Sequence, residues 1–441
     1  MNTNGNIARR GALPFLSALI AMISLAASAS ATTWYVGPTR TYTTPCQAIA
    51  VAAAGDTIYI DYSPSNAPGV GYYDDTCSWT TDNLTLIGVP NSNGARPVLN
   101  AAGLTDTSRT GHLALHKGIW VPQGSNTVVE NMEFENAALN NKDGANGAGI
   151  REDGSNLTVL NCYFHNNQDG LLESNVAGSN IVIENSEFYQ NGVSDKKLTS
   201  GYGQTHNLYI GHCASLLFEY NFTHDANVGH LVKSRAAVNY ILYNRITGEN
   251  GTDSYEIDLP NGGTSYVIGN EIEQGPNSGN STMLSYLEEG VNSNNPGYDL
   301  YVVNNTFVNQ LGSGTFVVAD SPAVPALLEN NIFYGPGAIT DQSNAIQTTN
   351  FSVSNNPSMF VNFANYNYDL SSTAGSPPID SGTAPESSSE GYSLAPIYQY
   401  VQHTDAAGFV ECEQPRITVN NIDIGAYEFG GGGAVTCPAG M

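Results

Sequence analysis

The chain has 441 residues, of which 41% are apolar and only 12% are Asp, Glu, Lys or Arg, with 40 acidic residues against 14 basic ones. The apolar share excludes a disordered chain, and a net charge of −26 excludes partners held by bulk positive charge, such as nucleic acid or an anionic membrane. Forty-six glycines, 25 tyrosines and abundant Val, Ile and Asn favour short strands joined by turns over helices.

Residues 1–31 read as a secretory signal. Arg9 and Arg10 open it, Leu13 to Ala27 form a short apolar run, and Ala29-Ser30-Ala31 supply a small-residue cleavage site. Without it, 12 basic residues remain against 40 acidic ones, a mature charge of −28. No other stretch is apolar enough to span a bilayer. The expected location is secreted, extracellular or at the cell surface, with the periplasm as the alternative. Six cysteines in such a compartment imply disulfides. Cys46 with Cys77 and Cys412 with Cys437 are the local pairs that would staple the ends. Cys162 and Cys213 read as buried thiols.

Residues 32–117 are expected to form an N-terminal cap and the first coils. Trp34-Tyr35-Val36 is a strand. Thr44-Pro45 then opens a helix predicted to run to Gly55 and to cover an otherwise open end. DTIYID and NLTLIGV are further strands.

Residues 118–345 carry a repeat. The segments VVENMEF, TVLNCYF, VIENSEF, LLFEYNF, YILYNRI, YVIGNEI, YVVNNTF and LLENNIF share alternating aliphatics, a polar pair usually containing Asn, and a closing aromatic or Ile. The closing residues, Phe134 to Phe333, are spaced by 24 to 35 positions. Each segment follows a second short strand, as in HLVKSRAAV and YEIDLPNGG. Two strands per period cannot bury their apolar side alone, so coils must stack, with Asn laddering at a bend. The pattern resembles the right-handed parallel β-helix of the pectate-lyase-like proteins. That resemblance implies an all-β solenoid with an N-terminal capping helix and an irregular C-terminal cap.

Residues 346–429 are expected to be that cap. Asn356-Pro357-Ser358-Met359-Phe360-Val361, Ser376 to Gly382 and Asp423 to Glu428 resemble the closing module of bacterial surface β-helix proteins. Residues 430–441 read as a flexible tail.

Ionisable residues concentrate between Gly229 and Gly263, where Lys233, Arg235, Glu256 and Asp258 lie on the first strands of successive units. Period-two alternation opposes Lys233 and Arg235 to Val232 and Ser234, and Glu256 and Asp258 to Ile257 and Leu259. The candidate catalytic residues are Lys233, Arg235, His206, Tyr209 and His230. Glu173, Tyr286 and Glu288 are the candidate substrate-binding residues. Glu256 and Asp258 are candidate metal ligands, with Ca²⁺ as the expected ion because it prefers oxygen donors.

Val232-Lys233-Ser234 and Val267 to Ile272 resemble elements of the chondroitinase B and alginate lyase family. In that family the first element supplies a catalytic Lys, and an Arg follows where this chain has Glu256-Ile257-Asp258. The implied activity is β-elimination on a uronate-containing polysaccharide, with Lys233 as base, Arg235 on the carboxylate, and Tyr209, His206 or His230 protonating the leaving oxygen. Two alternatives stand beside it. One is a glycoside hydrolase using paired carboxylates among Glu256, Asp258 and Glu288. The other is a non-catalytic glycan-binding or surface rod in which Lys233, Arg235, Glu256 and Asp258 merely form ion pairs. The expected partner is a polysaccharide, and the expected state is a monomer.

Overall fold

The computed structural model describes residues 30–64, 71–104, 112–372, 377–402 and 411–438. The expected signal segment lies outside them up to residue 29.

Three long parallel sheets of twelve, ten and eleven strands run the length of a rod. Along each sheet the strands follow one another in chain order. Each full coil therefore contributes three strands, where the sequence pattern suggested two. The coil around Lys233 shows why. Val232–Ser234 lies in the ten-stranded sheet, Val238–Leu242 in the twelve-stranded sheet, and Arg245–Thr247 in the eleven-stranded sheet. The segment YILYNRI is thus two strands broken at Tyr243, whose φ is +55°. One residue of each segment sits in the same left-handed region, the fifth in LLFEYNF and the fourth in the other seven: Asn131, Asn161, Asn185, Tyr220, Tyr243, Gly269, Asn304 and Asn330. Asn and Gly tolerate that conformation, so the polar pair marks a corner.

The residue after each corner points inward. From Asn221 onward it is always Asn, and these side chains form the expected ladder. Asn244 Nδ2 donates to Asn270 Oδ1 (2.9 Å) and Asn270 Nδ2 to Asn305 Oδ1 (3.0 Å); each Oδ1 also accepts the backbone N–H of the coil below. Every such buried amide is satisfied along the axis, which a coil could not do alone. Beside this ladder the core is apolar. Phe134, Phe164 and Phe188 stack at 5.0 and 4.9 Å, each fully buried, and each contributes roughly 1.5–3 kcal/mol by leaving water.

At the N-terminal end the helix is shorter than predicted. It covers Pro45–Ile49, and the Thr44 side chain makes no cap; instead Asp75 accepts the Cys46 N–H. Ala48 and Ile49 are buried against the first coil. Both expected disulfides are present, and Cys162 and Cys213 are buried free thiols. At the other end Ile346–Thr348 and Phe351–Val353 add a last rung to two of the sheets.

The C-terminal segment does not simply plug that end. Met359, Phe360 and Tyr368 pack on Val308 and Ile332, and the chain then runs back along the rod's flank. Tyr392 and Tyr398 lie against the outward rings of Tyr266 and Tyr243 (4.5 and 5.7 Å), and Asn185, several coils earlier, donates to the Glu411 carbonyl. The segment 430–438, expected to be a flexible tail, is tied to it. Glu413 and Thr436 exchange backbone hydrogen bonds, Gly431 and Gly433 pair with Ile417 and Pro415, and Cys437 joins Cys412. Among the described residues no helix is long and apolar enough to cross a membrane.

Candidate functional site

The ten-stranded sheet carries the expected cluster. Its register places Leu172, Tyr209, Lys233, Asp258 and Ser285 in one column on successive coils. The neighbouring positions Leu171, Leu208, Val232, Ile257 and Leu284 form the buried column, all with no exposure. Alternation along each strand therefore turns Lys233 and Asp258 outward because their neighbours are core residues.

Around Lys233 the side chains interlock. Its Nζ lies 3.0 Å from Asp258 Oδ2, 3.7 Å from Glu289 Oε1 and 5.5 Å from the centre of the Tyr209 ring. Arg235 donates from Nε to the Tyr209 hydroxyl (2.9 Å), from Nη1 to Asn261 Oδ1, and from Nη2 to Glu289 Oε1 (2.8 Å). Burial pushes the Asp258 carboxyl up, against the pull of Lys233. Glu289, held chiefly by its hydrogen bond to Arg235, lies below the usual carboxylate range.

Beside this pair runs a stack of rings. His206 lies on His230 with centroids 4.4 Å apart, and Tyr255 follows at 4.9 Å. His206 Nδ1 accepts the His230 backbone N–H, and His230 Nδ1 accepts that of Tyr255. Burial, reinforced by Lys233 and Arg235, pushes both rings far below the ordinary histidine range, so both are neutral. A neutral ring that accepts at Nδ1 carries its proton on Nε2. For His230 that atom lies 3.5 Å from Asp258 Oδ2.

Of the residues named from sequence, Lys233, Arg235, Tyr209, His230 and Asp258 converge. Glu288 lies beside them, accepting from the Tyr255 hydroxyl (2.6 Å) and from Ser285 (3.1 Å). The others do not face the groove. His206 is 2% exposed with Nδ1 occupied, so it reaches the site only through His230. Tyr286 falls in the inward column with Ile210, Ser234 and Leu259, and its hydroxyl is spent on the Gly263 carbonyl inside the core. Glu173 is buried and caps the backbone N–H groups of Asn175 and Val176. Glu256 is wholly buried, its nearest carboxyl being Asp253, which together with burial keeps it protonated.

The two calcium ligands expected from sequence therefore do not converge: Asp258 is engaged by Lys233, while Glu256 is buried beside Asp253. Among the described residues the groups that could converge on an ion are Glu133-Glu135-His165 and His224-Asp225-Glu249, on the outer face of the eleven-stranded sheet. Sequence reasoning missed this face, although its signal was present: EFE, YFH and EFY alternate ionisable residues around each buried Phe. Glu289, Asn261 and Tyr255 were also missed. A cleft of ≈ 620 Å³ opens on another flank, between the twelve-stranded sheet and the C-terminal segment, lined by Glu130, Glu184, Glu219, Glu413, Tyr220 and Tyr398. Burial and the nearby Glu184 and Glu413 push the Glu219 carboxyl up to about 7.

A family model described as a right-handed β-helix region matches residues 72–203. No curated protein matches the sequence. Among solved structures, that titled "Crystal structure of pectate lyase Pel9A" aligns with a TM-score of 0.57 and 16% identity, over 90% of this chain and 97% of that one. A rhamnogalacturonan lyase aligns at 0.43 and 12%, over 75% and 90%. The protein is an all-β, right-handed parallel β-helix. Its fold is that of the pectate-lyase-like proteins, and the likeness at such identities extends to the fold alone.

Proposed function

We propose that the outer face of the ten-stranded sheet is the active site of a secreted, polysaccharide-directed enzyme that cleaves a uronate-containing glycan by β-elimination. One observation carries the reading: two cations, a carboxyl raised by burial, a tyrosine hydroxyl and a neutral histidine meet on one rigid wall. The pectate lyase whose fold is similar acts, by its name, on a polysaccharide of this kind, and two disulfides suit an oxidising compartment.

The chemistry divides among these groups. Arg235, with its planar fork, binds and neutralises the sugar carboxylate, which acidifies the proton on carbon five. Lys233 takes that proton as base. To do so it must first be neutral, and Asp258, 3.0 Å away and raised by burial, is placed to hold the proton it gives up. The bond from carbon four to the glycosidic oxygen breaks, a double bond forms between carbons four and five, and the leaving oxygen takes a proton from the Tyr209 hydroxyl. That hydroxyl accepts from Arg235 Nε and so keeps its own proton for donation. His230 Nε2 faces the same Asp258 oxygen at 3.5 Å.

A second reading draws on the same contact. If Lys233 stays protonated against Asp258, the face binds glycan without turning it over. A hydrolase is less supported, since Glu256 lies in the interior, away from Asp258 and Glu288. Incubation of the mature protein with polyuronates and neutral glycans, followed by the absorbance of unsaturated uronate, tests the proposal. Wild type should release it and Lys233→Ala should lose at least about 100-fold in rate. Full activity in the variant, or new reducing ends without that absorbance, refutes the assignment.

A further inference from the structure

We infer that Glu289 is an internal stand-in for the substrate: its carboxylate occupies the Lys233–Arg235 pair until the carboxylate of an incoming uronate displaces it. This rests on the β-elimination reading above and names how the same site is regulated and what it selects.

The geometry is that of a bound ligand. Arg235 Nη1 lies 2.8 Å from Glu289 Oε2, and Nη2 lies 2.8 Å from Oε1. This is the two-toothed pairing a guanidinium makes with any free carboxylate. Lys233 Nζ lies 3.7 Å from the same Oε1. The Glu289 side chain is 48% exposed, against 10% and 14% for Lys233 and Arg235, so it covers both cations from the solvent side.

Its backbone is fixed by the fold, whereas among the described residues its carboxylate is held by the two cations alone. Glu289 N–H donates to the Pro260 carbonyl (3.0 Å), and Gly290 closes the turn by donating to Leu287 (2.8 Å). By contrast, every other partner of the two cations is anchored. Asp258 is 2% exposed on the sheet, and Tyr209 and Asn261 hold Arg235 from other sides. Glu288, next in the chain, is tied to Tyr255 and Ser285. When Glu289 swings out, the guanidinium therefore stays where it is, with two donors freed in the plane they already occupy.

An ion pair that exposed is weak, so its loss should change ligand affinity by about two- to five-fold and not by orders of magnitude. The selection that follows is for a planar, singly charged carboxylate. A neutral sugar gains nothing from displacing Glu289.

Calorimetric binding of hexagalacturonate and hexamannuronate, with galactohexaose as the neutral probe, tests this on wild type, Glu289→Gln, Glu289→Ala and Arg235→Ala. The expected result is a Kd about two- to five-fold lower in both Glu289 variants for a uronate that wild type binds, no change for the neutral probe, and weaker uronate binding in Arg235→Ala. If wild type binds a uronate through Arg235 while the Glu289 variants bind it equally or more weakly, the stand-in role is overturned and the proposed function stands. If no form binds either uronate, both are overturned.

Discussion

His224 offers a quantitative test of the electrostatics on the face that sequence reasoning missed. It is 5% exposed, its Nδ1 lies 2.7 Å from Asp225 Oδ2 and its Nε2 lies 3.0 Å from Glu187 Oε1, with Phe222 and Tyr189 stacked on the ring. Burial alone would pull the ring's pKa down, but hydrogen bonds to Asp225 and Glu187 prevail and hold it up at about 9. In the unfolded chain it returns to about 6.5. A folded pKa above the unfolded one gives stability that is complete below about pH 6.5 and is lost as pH rises through 9. The difference of about 2.5 units corresponds to about 3 kcal/mol. His224→Gln removes the titration while keeping a polar side chain of similar reach. Urea unfolding of both proteins from pH 6 to pH 10 should show the stability advantage of wild type over the variant shrinking by about 3 kcal/mol as pH rises. A gap that stays constant or widens over that range refutes the charged imidazolium held between two carboxylates.

The inner ladder makes a sharper claim than the outer one. Asn270→Ala strands the Asn244 side-chain N–H and the Ile241 carbonyl in the core, and should cost about 2–5 kcal/mol in urea unfolding. Asn180→Ala, in the exposed ladder between Asn156 and Ser215, should cost under about 1 kcal/mol; equal costs would show that burial does not set the difference. Tyr286→Phe should lower stability by about 1 kcal/mol through loss of the bond to Gly263, leaving glycan binding unchanged. A selective loss of binding would return Tyr286 to the groove.

The solenoid was legible because its signal repeats. Eight copies of one apolar pattern, each with Asn at or just after the corner, leave little room for another architecture, and the outward turn of Lys233 and Asp258 follows from alternation around Val232 and Ile257. The third sheet was not legible as such. A single left-handed residue at Asn131 or Tyr243 splits what reads as one strand, and the alternating pattern runs on across the corner. Tyr286 and Glu173 are a different case, since no corner separates them from Leu284 and Leu171. Each falls on an inward position that alternation from Leu284 or Leu171 assigns correctly, so an outward place for them on the flanking coils runs against the period itself. Glu256 stands where the strand begins, beyond the reach of period two, and its place inside depends on the bend after Tyr255. Glu289 lies in a turn whose direction no periodicity specifies; Glu288 and Glu289 could be told apart only by the backbone path from Leu287 to Gly290.

The C-terminal segment changes what kind of object this rod is. A stack in which each layer meets only the next can fray from either end, one layer at a time. Here a late stretch of chain reaches back to the layer of Asn185 and covers the tyrosine stripe between, so layers far apart share one partner. As the protein is synthesised, that stripe stays wet until its cover emerges. The middle of the molecule thus gains its full resistance to unfolding only when the last part arrives.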